Sequence, residues 1–266
     1  MLKIQIKNII LSSAILLLPF QVFAHDMWIH SPDFTPKYSK KFGSTVTIYG
    51  GWGHLYPIDD IFKVDSTFKI IDPNNKIKVL ETKKLLAEKV VLKKEGNYII
   101  SGHLEPYFWT SYFDKKGNKT GKREPKTGIN NVIESKQFNR FTKSIISTGK
   151  IEDENYSRTI GDTLEIVPLQ NPNKILGNGQ YLTVKVLFNG KPASYQKILG
   201  TYAGFSNQGD YSIATKTDKE GIAKIKLNHS GYWLLKTEKT LEVKDKNLIK
   251  KCDKIFYSAS LTFEVQ

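Results

Sequence analysis

The sequence predicts an all-β protein with two immunoglobulin-like β-sandwich domains and one short helical segment between them. Two blocks of short segments, at 45–104 and 163–265, alternate polar and apolar residues, which is typical of half-buried strands. One amphipathic stretch with apolar residues near helical spacing lies between the blocks. Apolar residues make up 39% of the chain and aromatic residues 12%, which is too rich for a disordered protein. We therefore expect domains at 25–114 and 161–266, joined by a loop and helix connector at 115–160.

Residues 1–24 have the pattern of a secretory signal peptide. Two lysines precede a mostly apolar run at 9–20, and the small residues Val22 and Ala24 occupy the −3 and −1 positions of a cleavage site. An uncleaved membrane anchor is the alternative, but this run is shorter than the ~20 residues of a spanning helix. We expect export to the periplasm, cleavage that leaves His25 first, and no transmembrane helix in the mature chain.

The first domain is predicted from short alternating segments separated by turn residues, at 45–49, 68–71, 77–80, 89–92 and 98–103. Between the first two, Gly50, Gly51 and Gly53 permit tight backbone turns that can direct His54 toward a neighbour. An aromatic cluster follows the last strand and is either a ligand platform or part of a core or interdomain seam: Tyr107, Phe108, Trp109, Tyr112 and Phe113.

The connector at 115–160 combines an exposed loop with the one predicted helix. Residues 115–128 are rich in Lys, Gly, Asn and Thr, as surface loops are. A helix is then predicted over 131–148, ended by Gly149, because its apolar residues fall near helical spacing. Those residues are Ile133, Phe138, Phe141, Ile145 and Ile146.

The second domain is predicted from strands at 163–167, 181–188, 211–217, 222–227, 232–236 and 256–265. The turns at 189–192 and 218–221 contain the Gly, Asn, Asp and Pro residues that such connections prefer. Strands at this spacing favour an immunoglobulin-like sandwich. His229 lies in one of the turns, where a surface position is expected.

The charge and the single cysteine limit the functional classes. The net charge of +14 favours acidic surfaces, although many lysines alternate with apolar residues as on solvated strand faces. No nucleic-acid-binding motif is visible, so we expect no nucleic acid partner. Cys252 is the one cysteine and has no second thiol for a disulfide within this chain, so burial must supply the stability.

Four of the five histidines lie in the first predicted domain, and they suggest a metal site: His25, His30, His54 and His103. Imidazole nitrogen suits nickel, cobalt and copper, and a first-residue histidine adds its α-amine to its ring Nδ1 as a chelate. No HExxH, GxSxG, P-loop or GxGxxG motif is present, and nothing marks a nucleophilic triad. The sequence therefore favours metal binding without predicting an enzyme.

Several segments together resemble a known family: AHDMWI at 24–29, GH at 53–54, FTKS at 141–144, GDTLEIVP at 161–168, LFNGKP at 187–192, TDKEG at 217–221, GYWL at 231–234 and SASLTF at 258–263. They resemble the bacterial exported domain-of-unknown-function family described as NikM-like, the periplasmic component of nickel and cobalt uptake. The resemblance implies an exported all-β protein that handles a transition metal, with an inner-membrane metal transporter as partner. It maps the mature-terminal histidine onto His25 and the Gly-His histidine onto His54. His30 and His103 are added on ligand chemistry alone.

Three functional hypotheses follow. The first is a periplasmic protein that binds nickel, cobalt or copper for uptake or delivery. The second is a copper-dependent oxidative enzyme, which would also use an N-terminal histidine and would be favoured by a flat aromatic face near His25. The third is a β-sandwich adhesion or scaffolding module without a metal.

Overall fold

The computed structural model describes residues 25–61, 65–82 and 87–266. The predicted signal peptide at 1–24 lies outside these residues. Within them the chain is almost entirely strand and loop, with short 3-10 turns at Asn155–Ser157, Pro172–Lys174 and Leu248–Lys250. No helix in the described part of the chain is long and apolar enough to cross a membrane.

The strands are β1 (Asp26–His30), β2 (Ser44–Gly53), β3 (Asp60–Ile61), β4 (Ser66–Ile71), β5 (Ile77–Val79), β6 (Glu88–Leu92), β7 (Gly96–Phe113), β8 (Lys119–Lys122), β9 (Val132–Thr148), β10 (Leu164–Pro168), β11 (Gln180–Phe188), β12 (Lys191–Pro192), β13 (Lys197–Tyr202), β14 (Ile213–Lys216), β15 (Ile222–Leu227), β16 (Gly231–Glu242) and β17 (Lys254–Val265).

The described strands form one large sheet and two small ones. The large one, here called the middle sheet, has the order β14-β13-β16-β17-β9-β7-β4-β5, with β8 also paired to β7. Its β17 and β9 are parallel, and the other pairs are antiparallel. The first outer sheet contains β1, β2, β3 and β6, and the second outer sheet contains β10, β11, β12 and β15.

The two outer sheets cover opposite faces of the middle sheet. Successive strand residues point to opposite faces, and Ile99 and Ile145 pack with the second outer sheet whereas Ile100 and Ile146 pack with the first. The result is a three-layer arrangement with a hydrophobic core on each side of the middle sheet. Burial on both faces explains why the first seven residues of β7 are all buried, instead of alternating between buried and exposed.

The all-β class is confirmed, but the helix predicted over 131–148 is wrong, because these residues form β9. Ile145 and Ile146 are adjacent and both fully buried, one in each core. A strand buried on both faces loses its alternation, so its apolar residues fell by chance near helical spacing. In the described part of 115–160, the helical residues are the 3-10 turn at Asn155–Ser157.

Strands from both predicted domains share the middle sheet, because β9, from the predicted connector, pairs with β7 of the first domain and with β17 of the second. Each half of the sequence nevertheless contributes an outer sheet of its own. The domain boundaries at 114 and 161 therefore remain a prediction.

Candidate metal centre

Strand β1 carries the start of the candidate site, and side-chain hydroxyls hold its free edge. Its other edge pairs with β2. On the free edge, Ser260 Oγ donates to the carbonyl of Met27 at 2.6 Å, and Thr262 Oγ1 donates to the carbonyl of Ile29 at 2.5 Å. The amide of Ile29 donates to Thr142 Oγ1 at 3.2 Å. An edge strand would otherwise leave these backbone groups unpaired, so the hydroxyls of β9 and β17 fix β1 on the middle sheet.

A buried ion pair anchors the residue that follows His25. Lys236 Nζ donates to both carboxylate oxygens of Asp26, at 2.9 and 2.7 Å, and Tyr211 Oη donates to Asp26 Oδ2 at 2.9 Å. Burial alone would lower the pKa of Lys236, but the carboxylates of Asp26 and Glu238 outweigh it and raise the pKa well above its usual range. This network holds the beginning of β1 against β16.

His25 and His54 lie next to each other because β1 and β2 are antiparallel. Asp26 is opposite Gly53 in this register, so the next pair outward is His25 and His54. Their ring centroids are 4.6 Å apart with an interplanar angle of 31°. The His25 ring also stacks on Trp52, with centroids 5.7 Å apart and planes 10° from parallel. The two imidazoles are thus close enough to serve one ion.

Glycine and a carboxylate shape the turn that carries His54. Gly53 has φ +141°, which favours glycine, and a Cβ built there would fall 2.1 Å from the Asp59 carboxylate. Asp59 Oδ2 accepts from the amides of His54 at 2.7 Å and Leu55 at 3.2 Å. The tight approach of this carboxylate sets the direction in which the chain leaves β2.

The surroundings favour the neutral form of His25. Burial is the largest effect that lowers its pKa, and the charges of His54 and Arg140 lower it further, whereas Asp59 and Asp26 oppose the shift. Arg140 is 1% exposed, and its guanidinium lies 5.2 Å from the ring centroid of Trp52. A lowered pKa keeps the imidazole of His25 available as a ligand near neutral pH, since only the neutral ring binds a metal.

His30 lies away from this pair. It is 2% exposed, and its Nδ1 is 3.2 Å from Tyr56 Oη. Burial lowers the pKa of His30 to about 4. It is five residues from His25 along the strand, about 17 Å at the usual rise. It contacts four aromatic rings, those of Phe34, Tyr49, Tyr56 and Tyr232, as part of a packed interior.

His103 is also separate, because it lies on the opposite face of the middle sheet. Its ring stacks on Phe141 with centroids 4.7 Å apart, and Phe141 belongs to the core beneath the second outer sheet. His229 is exposed in its predicted turn and stacks on Tyr202 at 4.2 Å. The structure therefore brings together His25 and His54 of the four candidate ligands, and leaves His30 and His103 elsewhere.

The side chains around the pair supply no further obvious ligand. Within residues 25–61, 65–82 and 87–266, no cluster of three or more His, Cys, Asp or Glu side chains is arranged to hold a metal ion. The α-nitrogen of His25 becomes an amine only if cleavage leaves this residue first, and the cleavage site precedes the described residues. Sequence reasoning missed Trp52, Asp59 and Arg140; the adjacent Gly-rich segment hinted at the first two, and no local signal pointed to Arg140.

Three solved structures are similar to this chain at low sequence identity. The D0-D1 domain of intimin is 16% identical over 90% of this chain and 97% of that chain, with a TM-score of 0.23. The D00-D0 domain of intimin is 11% identical over 90% and 99%, also at 0.23. A DUF3823 family protein from Bacteroides uniformis is 9% identical over 91% and 99%, at 0.24. At these TM-scores the similarities say nothing about function.

Comparison with curated proteins gives no match. A family model does match, over residues 22–240, and that range includes β1, β2 and both close histidines. The matching family is described as a domain of unknown function, DUF4198. Because the match extends over most of the sequence, the chain belongs to the DUF4198 family.

Proposed function

We propose that this protein is an exported, periplasmic protein that binds nickel, cobalt or copper through His25 and His54 and serves uptake or delivery of the metal. The 4.6 Å separation of the two imidazole rings is the observation that carries this proposal. The resemblance of the AHDMWI and GH segments to the NikM-like family adds support, and an inner-membrane metal transporter is the partner it implies.

The donor set fits a transition metal. Two imidazoles and the α-amine of a first-residue His25 would provide three nitrogen ligands, which suit Cu(II) and Ni(II) better than the oxygen-seeking Mg²⁺ and Ca²⁺. The amine and Nδ1 belong to one residue, so one ordered residue contributes a main-chain donor and a side-chain donor. The strand pairing and the Asp26 network hold that residue in place before any metal arrives.

Calorimetric titration with Cu(II), Ni(II) and Co(II) tests this function. The protein should begin at His25, and its matched partner should carry one serine before His25, which converts the amine into an amide. We expect the extra serine to abolish most of the binding, and His54→Ala to weaken it strongly. His229→Ala removes a surface histidine in a turn and is the control, which should titrate like the wild type.

Unchanged affinity in both the serine-extended protein and His54→Ala would contradict the proposal, and a scaffolding or adhesion module would then be the better hypothesis. Amino-terminal sequencing of the exported protein provides a separate test. A first residue other than His25 would remove the amine from the donor set.

A further inference from the structure

A cavity lies on the face of the middle sheet opposite His25 and His54. It has a volume of about 300 Å³ and opens between β4, β7 and the segment 158–162. Lys69 of β4 and His103 of β7 line it, together with Arg158 and Asp162 of the segment. Alternate residues of a strand point to the same face of a sheet. Lys69 is two residues from Ile71 in β4, and His103 is four residues from Ile99 in β7, so both lie on the face that carries these two core residues.

A buried ion pair fixes the segment that forms the outer wall. Lys143 Nζ lies 2.5 Å from Glu165 Oε1, with the two side chains 3% and 2% exposed. Lys143 Nζ also donates to the carbonyl of Arg158 at 3.3 Å, and Glu165 Oε1 accepts from the amide of Ile160 at 2.7 Å. The wall is therefore attached to β9 of the middle sheet and to β10 of the second outer sheet, and the cavity is preformed.

One polar atom of a residue that lines this cavity is buried without a partner. His103 Nε2 is inaccessible to solvent and forms no hydrogen bond within the described residues. An unpaired buried polar group costs about 1–3 kcal/mol, so such atoms are uncommon in folded proteins. Stacking on Phe141 holds the His103 ring in this orientation. The His103 ring lines the cavity, so a ligand that displaces the atoms covering Nε2 would satisfy this nitrogen.

The charges at the cavity are predominantly positive. Neither Lys69 nor Arg158 forms an ion pair within 4 Å in the part of the chain that the structure describes. Burial raises the pKa of Asp162 to about 7, although the charges of Lys143 and Lys69 oppose the shift. Lys143 is matched by Glu165. Among the residues that line the cavity, Lys69 and Arg158 thus face the single carboxyl of Asp162.

We infer that this cavity binds a small carboxylate-bearing molecule, with Lys69 and Arg158 attracting the carboxylate and His103 Nε2 hydrogen-bonding to the ligand. Guanidinium groups match carboxylates in geometry as well as charge. A volume of about 300 Å³ equals roughly ten water-sized groups, which limits the ligand to a small metabolite.

Calorimetry with succinate, glutamate and inorganic phosphate as probes tests the inference on the whole mature chain. We expect millimolar or tighter binding of a carboxylate, and a loss of roughly ten- to a hundredfold in affinity in Arg158→Gln and in Lys69→Met. His103→Phe keeps the stacked ring but removes both nitrogens, and it should weaken binding by a similar factor. Lys115→Met removes an exposed cation in a distant loop and should have no effect.

His103→Phe also separates loss of the ligand contact from loss of the fold. The variant removes an unpaired buried nitrogen, so its unfolding midpoint should equal or exceed that of the wild type. No binding of either carboxylate would overturn the inference, and so would binding that Arg158→Gln and His103→Phe retain. Phosphate bound as tightly as the carboxylates would overturn the assigned ligand class. Metal titrations of the same variants should be unchanged, because the metal site is on the other face.

Discussion

Lys236 and Asp26 form a buried ion pair between residues 210 positions apart in the sequence. Both side chains are 6% exposed, and Tyr211 adds a hydrogen bond to the same carboxylate. The pair connects β16 of the middle sheet to β1, one residue after His25. A contact between distant parts of the sequence therefore positions the candidate ligand.

Lys236→Met should destabilise the protein by about 3–5 kcal/mol, because it leaves the Asp26 carboxylate buried without its cation. Asp26→Leu combined with Lys236→Met should recover much of this loss. Urea unfolding measures both effects. Glu238→Gln is the control, since Glu238 is 37% exposed and contacts the same lysine from the outer side at 3.0 Å. A loss below about 1 kcal/mol in Lys236→Met would show that the pair is not buried in solution.

Arg140→Met should raise the pKa of His25. The charge of Arg140 is one of the causes that lower this pKa, and the substitution removes it while the burial of His25 against Trp52 remains. An NMR titration of the histidine ring protons measures the shift. Arg123→Met is the matched control, because Arg123 lies over Tyr107 on the β8 side and does not contribute to the pKa of His25. An unchanged or lowered His25 pKa in Arg140→Met would contradict the arrangement.

Metal affinity should depend on pH in a way that reveals the α-amine. A first-residue amine titrates near about 7.7, so affinity should rise with pH up to that region and then level off. The protein with an added serine lacks this ligand and should lose this part of the dependence. Because the pKa of His25 is lowered, protons compete with the metal for its ring only below about pH 6.5. Identical pH profiles for the two proteins would exclude the amine as a ligand.

Asp162→Asn should become increasingly stabilising as pH rises from 5 to 8.5. The pKa of Asp162 is raised to about 7 in the folded state, so its favourable contribution is complete below the unfolded value of about 3.9 and is lost as pH rises through 7. Asparagine does not ionise and avoids that loss. We expect the stability difference between variant and wild type to change by about 1 kcal/mol or more across this range.

Urea midpoints at the two pH values provide the measurement for Asp162. Asp210→Asn changes an exposed aspartate and is the control. A pH-independent difference between Asp162→Asn and the wild type would mean that the carboxyl is solvated in the folded protein.

The alternation of polar and apolar residues was enough to predict the β class and most strands, because strands with one solvated face keep that pattern. It failed at β9, where adjacent Ile145 and Ile146 enter different cores. Local sequence does not show that a strand has a sheet packed on both sides. Such burial is a property of the assembled layers.

The candidate site was also predictable only in part, because local motifs identify some of its residues and contacts between distant strands supply the others. The resemblance pointed to His25 and His54, and β1–β2 pairing accounts for their proximity. Whether His103 lies near His25 and His54 depends on the face of β7 that it occupies. The pairing of β7 with β4 and β9 decides that face. Arg140 enters the site from a strand far along the sequence, and a single sequence carries no signal for that contact.

The parallel pairing of β9 with β17 has a consequence for the rate of folding. It joins segments that are distant in sequence: Arg140 of β9, for example, contacts Ser258 of β17, 118 residues later. The chain must close that long loop before the contact stabilises anything, and topologies dominated by such pairings fold in milliseconds to seconds rather than microseconds. Until β17 arrives, β9 and β16 present open edges in the centre of the sheet, and open edges are sites of aggregation. The order of the strands thus keeps the centre of the sheet open until residues 254–265 have joined it.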